Sequence, residues 1–248
     1  MEKNFYTLCT NNKYPKYYPK MLARSLKPYG WTLTCLVDSP VKNYDKEENL
    51  NFIDVKLFIP EGMQFTFSGW WYKLLLFNNK IFPKKTLFID VDSIFLRSPD
   101  EIDKYIETQP HHVLLAPKDW IHNTIATPLM YIDHSHDMIQ CVWDWFYSQR
   151  VHPGQKFRGD QDFIDDALND FYGDLKKAVW GIWPIHFIGS YKCMYDSSWS
   201  KFRGAEEQKG IPINKFIAVT FNGKPLIEDI VRRKKKGWEV FERFILDE

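Results

Sequence analysis

Two carboxylates separated by one residue, Asp90 and Asp92, close an apolar, mainly β-forming run, Thr86-Leu87-Phe88-Ile89. A buried strand that stops at a polar edge has this composition. Set side by side there, the two side chains can hold a hard divalent cation, and a cation that keeps open coordination positions is completed by substrate phosphates. In open α/β sheets ligands gather beyond the carboxyl ends of the strands, which is where this pair falls. Asp is also a common turn and helix-capping residue, so the spacing alone leaves both a metal site and a simple turn open.

The elements that must position the pair are legible around it. Phe5 to Thr10 is predicted as an opening strand, ended by Asn11-Asn12-Lys13-Tyr14-Pro15, polar turn residues suited to a nucleotide-facing loop. Lys20 to Leu26 is predicted helical, and Trp31 to Val37 alternates as a second strand until Asp38-Ser39-Pro40 stops it, which gives a β-α-β start. A charged loop over Val41 to Asn51, a third strand over Phe52 to Ile59 and a helix over Gly69 to Phe77 that carries Lys73 precede the Asp pair. After it, Pro99-Asp100 opens a helix to about Glu107, Val113 to Ala116 is a short strand, and Asn123 to Ile132 is mixed. Met138, Cys141, Val142, Trp145 and Phe146 give Asp137 to Tyr147 the spacing of an amphipathic helix. Asp160 is placed as the N-terminal cap of a helix over Phe163 to Asn169. Phe216 to Phe221 is predicted as the last strand, ending in Asn222-Gly223-Lys224-Pro225.

The global quantities exclude several classes. Lys plus Arg number 33 against 32 Asp plus Glu, which gives no reason to expect a nucleic-acid partner. Cys9, Cys35, Cys141 and Cys193 form no metal-ligand or Cys-X-X-Cys pattern and read as reduced thiols. Met1 to Thr10 lacks the apolar core of a signal peptide, and no apolar run approaches the roughly 20 residues of a membrane span. The expectation is a cytoplasmic protein of one domain over residues 1–248, with a less regular C-terminal third from about 171 to 248. Its 10 Trp are read mainly as core.

Five short stretches in order, spanning roughly residues 5–225, carry a resemblance. They are the opening Phe-Tyr-Thr-Leu-Cys-Thr-Asn-Asn-Lys-Tyr with Ser25-Leu26, the Asp pair preceded by Lys73, His122-Asn123-Thr124, Gly159-Asp160-Gln161, and Phe221-Asn222-Gly223-Lys224-Pro225. Together they make the chain similar to glycosyltransferase family 8, the group of glycogenin and the bacterial galactosyl- and glucosyltransferases. The resemblance implies an α/β fold: a GT-A, Rossmann-like nucleotide-diphospho-sugar transferase domain with a mixed central sheet flanked by helices. It implies a UDP-sugar donor, Mn²⁺ or Mg²⁺ as cofactor, a glycan or lipid-linked acceptor, and transfer with retention of configuration.

Residue by residue, the resemblance puts Leu8, Thr10 and Asn11 in the uridine pocket and Tyr14 against the base. It gives the metal to Asp90 and Asp92, and phosphate or donor-sugar oxygens to Lys73 and Lys224. Asn123, Asp160 and Gln161 become hydrogen-bonding partners of the donor sugar. The chain departs from the family at the third metal ligand, where Asn222 stands in place of a His; an amide oxygen is a hard ligand, weaker than imidazole for Mn²⁺. His186-Phe187-Ile188-Gly189-Ser190-Tyr191-Lys192 offers a second version of that motif about 35 residues earlier. Asn222 is preferred, because Phe221, Gly223, Lys224 and Pro225 around it agree with the motif.

Two other functions compete. A haloacid dehalogenase-like phosphotransferase also has Asp-X-Asp after an apolar strand, and Gly159-Asp160 with Asp165 imitates its later element. A non-catalytic nucleotide-sugar binding module is the second, suggested by Asn222. The basic run Arg232 to Lys236 precedes Trp238, Phe241 and Ile245 on one helical face. That pattern is either a solvated run before a packing helix or a contact, through 232–245, with the anionic inner face of a membrane.

Overall fold

The computed structural model describes residues 2–10, 13–59, 61, 69–122, 124–148, 156–173, 180–224 and 226–245. The chain opens as expected, with β1 (Asn4–Cys9), α1 (Tyr18–Leu26) and β2 (Thr32–Val37), followed by β3 (Leu50–Asp54). The third strand starts and stops earlier than the sequence suggests, because Val55–Phe58 turns into a 3₁₀ helix that Asp54 caps by accepting from the Lys56 N–H. Gly69–Phe77 is also a 3₁₀ helix rather than an α-helix. It is buried from Trp71 onward, so packing rather than propensity holds it.

Next come β4 (Lys85–Ile89), β5 (Ser93–Phe95), α2 (Asp100–Glu107), β6 (Leu114–Ala116) and β7 (Leu129–Asp133). The remainder is α3 (Asp137–Ser148), α4 (Asp160–Tyr172), β8 (Trp180–Ile182), β9 (Ile188–Ser190), α5 (Tyr191–Tyr195), α6 (Arg203–Gln208), β10 (Ala218–Thr220), α7 (Ile227–Arg232) and α8 (Trp238–Ile245).

Seven strands form one mixed sheet in the order β3-β2-β1-β4-β7-β6-β8, with β7 antiparallel to both neighbours. Successive side chains of a strand point to opposite faces, and β4 shows the consequence. Leu87 and Ile89 enter a core with Phe5, Leu22, Phe95 and Phe221, whereas Phe88 enters a second core with Leu74, Phe77, Phe146 and Phe163. The first core is covered by α1 and the C-terminal helices, the second by the 3₁₀ segment, α3 and α4. A small second sheet, β5-β10-β9, sits at the end of β4.

The winding decides where a ligand can sit. From β1 the chain moves outward to β2 and β3, then returns to place β4 on the other side of β1. That reversal opens a crevice between the loops that follow β1 and β4, the position at which α/β sheets bind ligands. The Asp pair lies in the second of those loops.

Candidate active site

Between β4 and β5 the chain makes a tight turn at Asp90-Val91-Asp92. Its first residue is pinned by a backbone bond from Asp90 N–H to the Pro128 carbonyl at 2.9 Å. This brings Thr127, at the entry to β7, beside the pair. Lys73 reaches the same point from the 3₁₀ segment. Its ammonium lies 2.7 Å from Asp90 Oδ1 and 3.6 Å from Asp160 Oδ2, and donates to Thr127 Oγ1 at 3.0 Å. Thr127 in turn donates to Asp160 Oδ2 at 2.7 Å.

Asp160 is therefore not the cap that the sequence suggests: Gly159 holds the cap position in extended backbone, and Asp160 is the first residue of α4 with its carboxylate turned inward. Its place in the first turn favours the negative charge. Burial opposes the charge on Lys73, but Asp90 and Asp160 outweigh it and hold its pKa above the usual lysine value. Burial pushes Asp90 up to about 6 against the pull of Lys73, with Asp92 adding to the rise.

Asp92 is the more enclosed partner. Its Oδ2 accepts from Tyr14 Oη at 2.7 Å and from the Gly223 N–H at 2.8 Å, and Thr220 Oγ1 reaches Oδ1 at 3.5 Å. The Gly223 contact depends on a turn in which Asn222 and Gly223 have φ of +52° and +83°. Asn and Gly are the residue types that tolerate this region. Asn222 thus sits beside the pair, but its amide donates to Ser190 Oγ at 2.8 Å, and from this stretch it is Thr220 and the backbone of Gly223 that contact the Asp92 carboxylate. Lys224 is exposed on the same turn.

His186 lies elsewhere. Its carbonyl accepts from Ile217 N–H at the amino end of β9, whereas Ser190 at the other end pairs with Thr220. The turn residue Phe187 and the strand Ile188–Ser190 separate His186 from the end that carries the Asp pair. The stretch after His186 is nonetheless a strand, which its sequence did not reveal.

Leu8, Thr10 and Tyr14 line the crevice with Lys73 and the Asp pair. Thr10 Oγ1 contacts the Gly69 carbonyl at 3.4 Å. One face of the Tyr14 ring lies on Tyr18, with centroids 5.4 Å apart, and Lys13 Nζ stands 4.9 Å from the Tyr14 ring centre. Burial, and then Asp92 and Asp90, keep its hydroxyl protonated far above the ordinary range. Gln161 turns away from Asp160 and donates to Asp119 Oδ2 at 3.2 Å. Asp119 is itself a turn anchor for the N–H groups of Ile121 and His122. Asn11 and Asn123 lie outside the described residues.

Sequence reasoning missed Lys13, Trp70, Asp119, Thr127 and Thr220. Trp70 is 44% exposed at the crevice mouth and holds Lys13 Nζ 5.5 Å from its ring. Nothing in the spacing separates it from Trp71, which is buried. The face formed by Trp238, Phe241 and Ile245 packs inward, as the packing-helix reading expects. Phe241 is fully buried against Phe221 and Tyr191, Trp238 and Ile245 are partly buried on the same core, and Arg232 to Lys236 ahead of them is exposed.

Among the described residues no three His, Cys, Asp or Glu side chains converge as a ready metal cluster. One ammonium, Lys73, faces the carboxylates of Asp90 and Asp160, and Asp92 adds a third beside them. That donor set fits a hard divalent cation: it is negatively charged and offers oxygen ligands, and so few protein carboxylates leave coordination positions to a substrate.

No protein-family model matches the chain, and no curated protein matches it in sequence. Solved structures do match. The bifunctional glycosyltransferase WbbM superposes with a TM-score of 0.64 at 12% identity, over 99% of this chain and 50% of its own. The galactosyltransferase LgtC, solved with donor and acceptor sugar analogues, gives 0.56 at 14% identity over 97% and 94%. Mouse xyloside xylosyltransferase 1 gives 0.55 at 12% identity over 90% and 98%. The chain spans half the length of WbbM and nearly all of the other two. The fold is that of the GT-A glycosyltransferases.

Proposed function

We propose that this chain is a metal-dependent glycosyltransferase that moves a hexose from a UDP-sugar to an acceptor hydroxyl with retention of configuration. The observation that carries this reading is the meeting of Asp90, Asp92 and Lys73 at the carboxyl end of β4, in the crevice beside β1 of a GT-A fold. The phosphotransferase alternative loses its support with that fold, since its aspartate pair belongs to a different topology.

Asp90 and Asp92 would hold Mn²⁺ or Mg²⁺, which when bound neutralises charge on the departing diphosphate. The chain's own residues do the rest. Lys73 balances Asp90 and Asp160, so that the turn carries its carboxylates in a fixed arrangement. Lys13 at the crevice and Lys224 on the exposed turn are flexible point charges suited to phosphate oxygens. Leu8 and Thr10 line the nucleotide side, with Asn11 continuing that loop. Asp160, Gln161 and Asn123 are assigned to donor-sugar hydroxyls, and Asn222 with Thr220 to the remaining side of the cation. Fixed charges of this kind, set before the reaction, are the largest contribution to most such transfers. The acceptor hydroxyl attacks from the face the diphosphate leaves, and a phosphate oxygen takes its proton. The acceptor is a glycan or lipid-linked sugar.

Incubation with a panel of UDP-hexoses and Mn²⁺, followed by UDP release, tests the reading. Release that requires the metal supports it. Nucleotide-sugar binding without release makes the chain a binding module, and turnover of phosphate esters in place of UDP-sugars contradicts it.

A further inference from the structure

We infer that Tyr14 is a positioning residue for Asp92, acting through its hydroxyl. This rests on the metal-dependent reading above. The contact is short, 2.7 Å from Oη to Asp92 Oδ2, and the same oxygen takes the Gly223 N–H at 2.8 Å. Two donors on one carboxylate oxygen fix the rotation of the group. They leave Oδ1, which Thr220 Oγ1 reaches only at 3.5 Å, turned to the other side. Metal-ligating carboxylates are themselves held by hydrogen bonds in this way, and loss of such a partner typically weakens the metal about 10–100-fold.

The ring is held for that task. One face is occupied by Tyr18, and Lys13 lies over the ring. Tyr18 is locked in turn: its hydroxyl donates to Glu228 Oε2 at 2.9 Å and accepts from Ile227 N–H at 3.2 Å. Tyr14 therefore transmits the rigidity of α1 and α7 to the carboxylate at the end of β4.

Tyr14→Phe keeps the ring and removes only the hydroxyl, so it separates the two roles. Mn²⁺ is titrated into wild type and variant with UDP present, followed by its electron paramagnetic resonance signal. UDP is titrated without metal by calorimetry. The expected result is Mn²⁺ binding weakened about 10–100-fold, with metal-free UDP affinity changed less than about twofold. Unchanged Mn²⁺ affinity in Tyr14→Phe overturns the inference, and a loss of UDP affinity in Tyr14→Leu alone returns Tyr14 to the base. Absence of Mn²⁺ binding in the wild type would remove the metal-dependent reading itself, and this inference with it.

Discussion

His134 shows what burial does to one residue outside the site. Its ring lies parallel to Phe82 with centroids 6.5 Å apart, and neither ring nitrogen has a hydrogen-bond partner among the described residues. Burial drives its pKa down to about 4. The unfolded chain protonates this ring below about 6.5, and the folded chain does so only near 4. The neutral ring's contribution is therefore fully present above 6.5 and is lost as the pH falls toward 4, on the order of 2–3 kcal/mol. Urea unfolding at pH 7 and pH 4.5 should show that loss in the wild type and a smaller one in His134→Leu; equal losses would mean the ring is not held neutral. At the site, residue types were legible where a motif fixed them and illegible where a single contact did. Asp90, Asp92, Lys73 and Asp160 were all named, yet Asp160 was given a capping role, because a sequence shows that Asp opens a helix and not where its carboxylate points. Thr127 and Thr220 carry no signal of their own, since a buried Thr in or just before a strand is ordinary until its partner is known.

At the scale of elements, β1, β2 and β4 were legible, as were the three-residue β6 and β10 inside longer apolar runs, whereas β5, β8 and β9 were not and β7 lay in a stretch that read as mixed. β8 and β9 are too short to display a period, and the helices that follow, α5 to α7, run five or six residues. Their order comes from tertiary contact, which also explains why the C-terminal third read as irregular. α8 was legible as a packing helix after the basic run, and its apolar face packs on the core. Phe241 sits with its ring 5.0 Å from that of Phe221, directly ahead of the Asn222-Gly223 turn, so α8 is part of the support beneath the site. Phe241→Ala should destabilise the fold by about 3–5 kcal/mol, the usual loss for a buried Phe. A shift below about 1 kcal/mol in urea unfolding would show that α8 is not docked as described.

The whole molecule makes the location of the site intelligible at identities of only 12–14% with the solved structures that share the fold. What persists is the winding: a sheet that reverses direction between β1 and β4 must leave a crevice there, and the residues that follow both strands must line it. Within it the carboxylates outnumber the one buried lysine, a balance that a cation and a diphosphate donor would complete. No helix among the described residues is long and apolar enough to cross a membrane, and the basic run at 234–236 is exposed. The measurement that tests the central claim most directly is UDP release from UDP-hexoses by wild type and Asp92→Asn at the same Mn²⁺ concentration. Asp92 lies at the crevice rather than within either apolar core, so Asp92→Asn should lower release at least about a hundredfold while its thermal midpoint stays near that of the wild type. Release by Asp92→Asn at the wild-type rate would contradict the account.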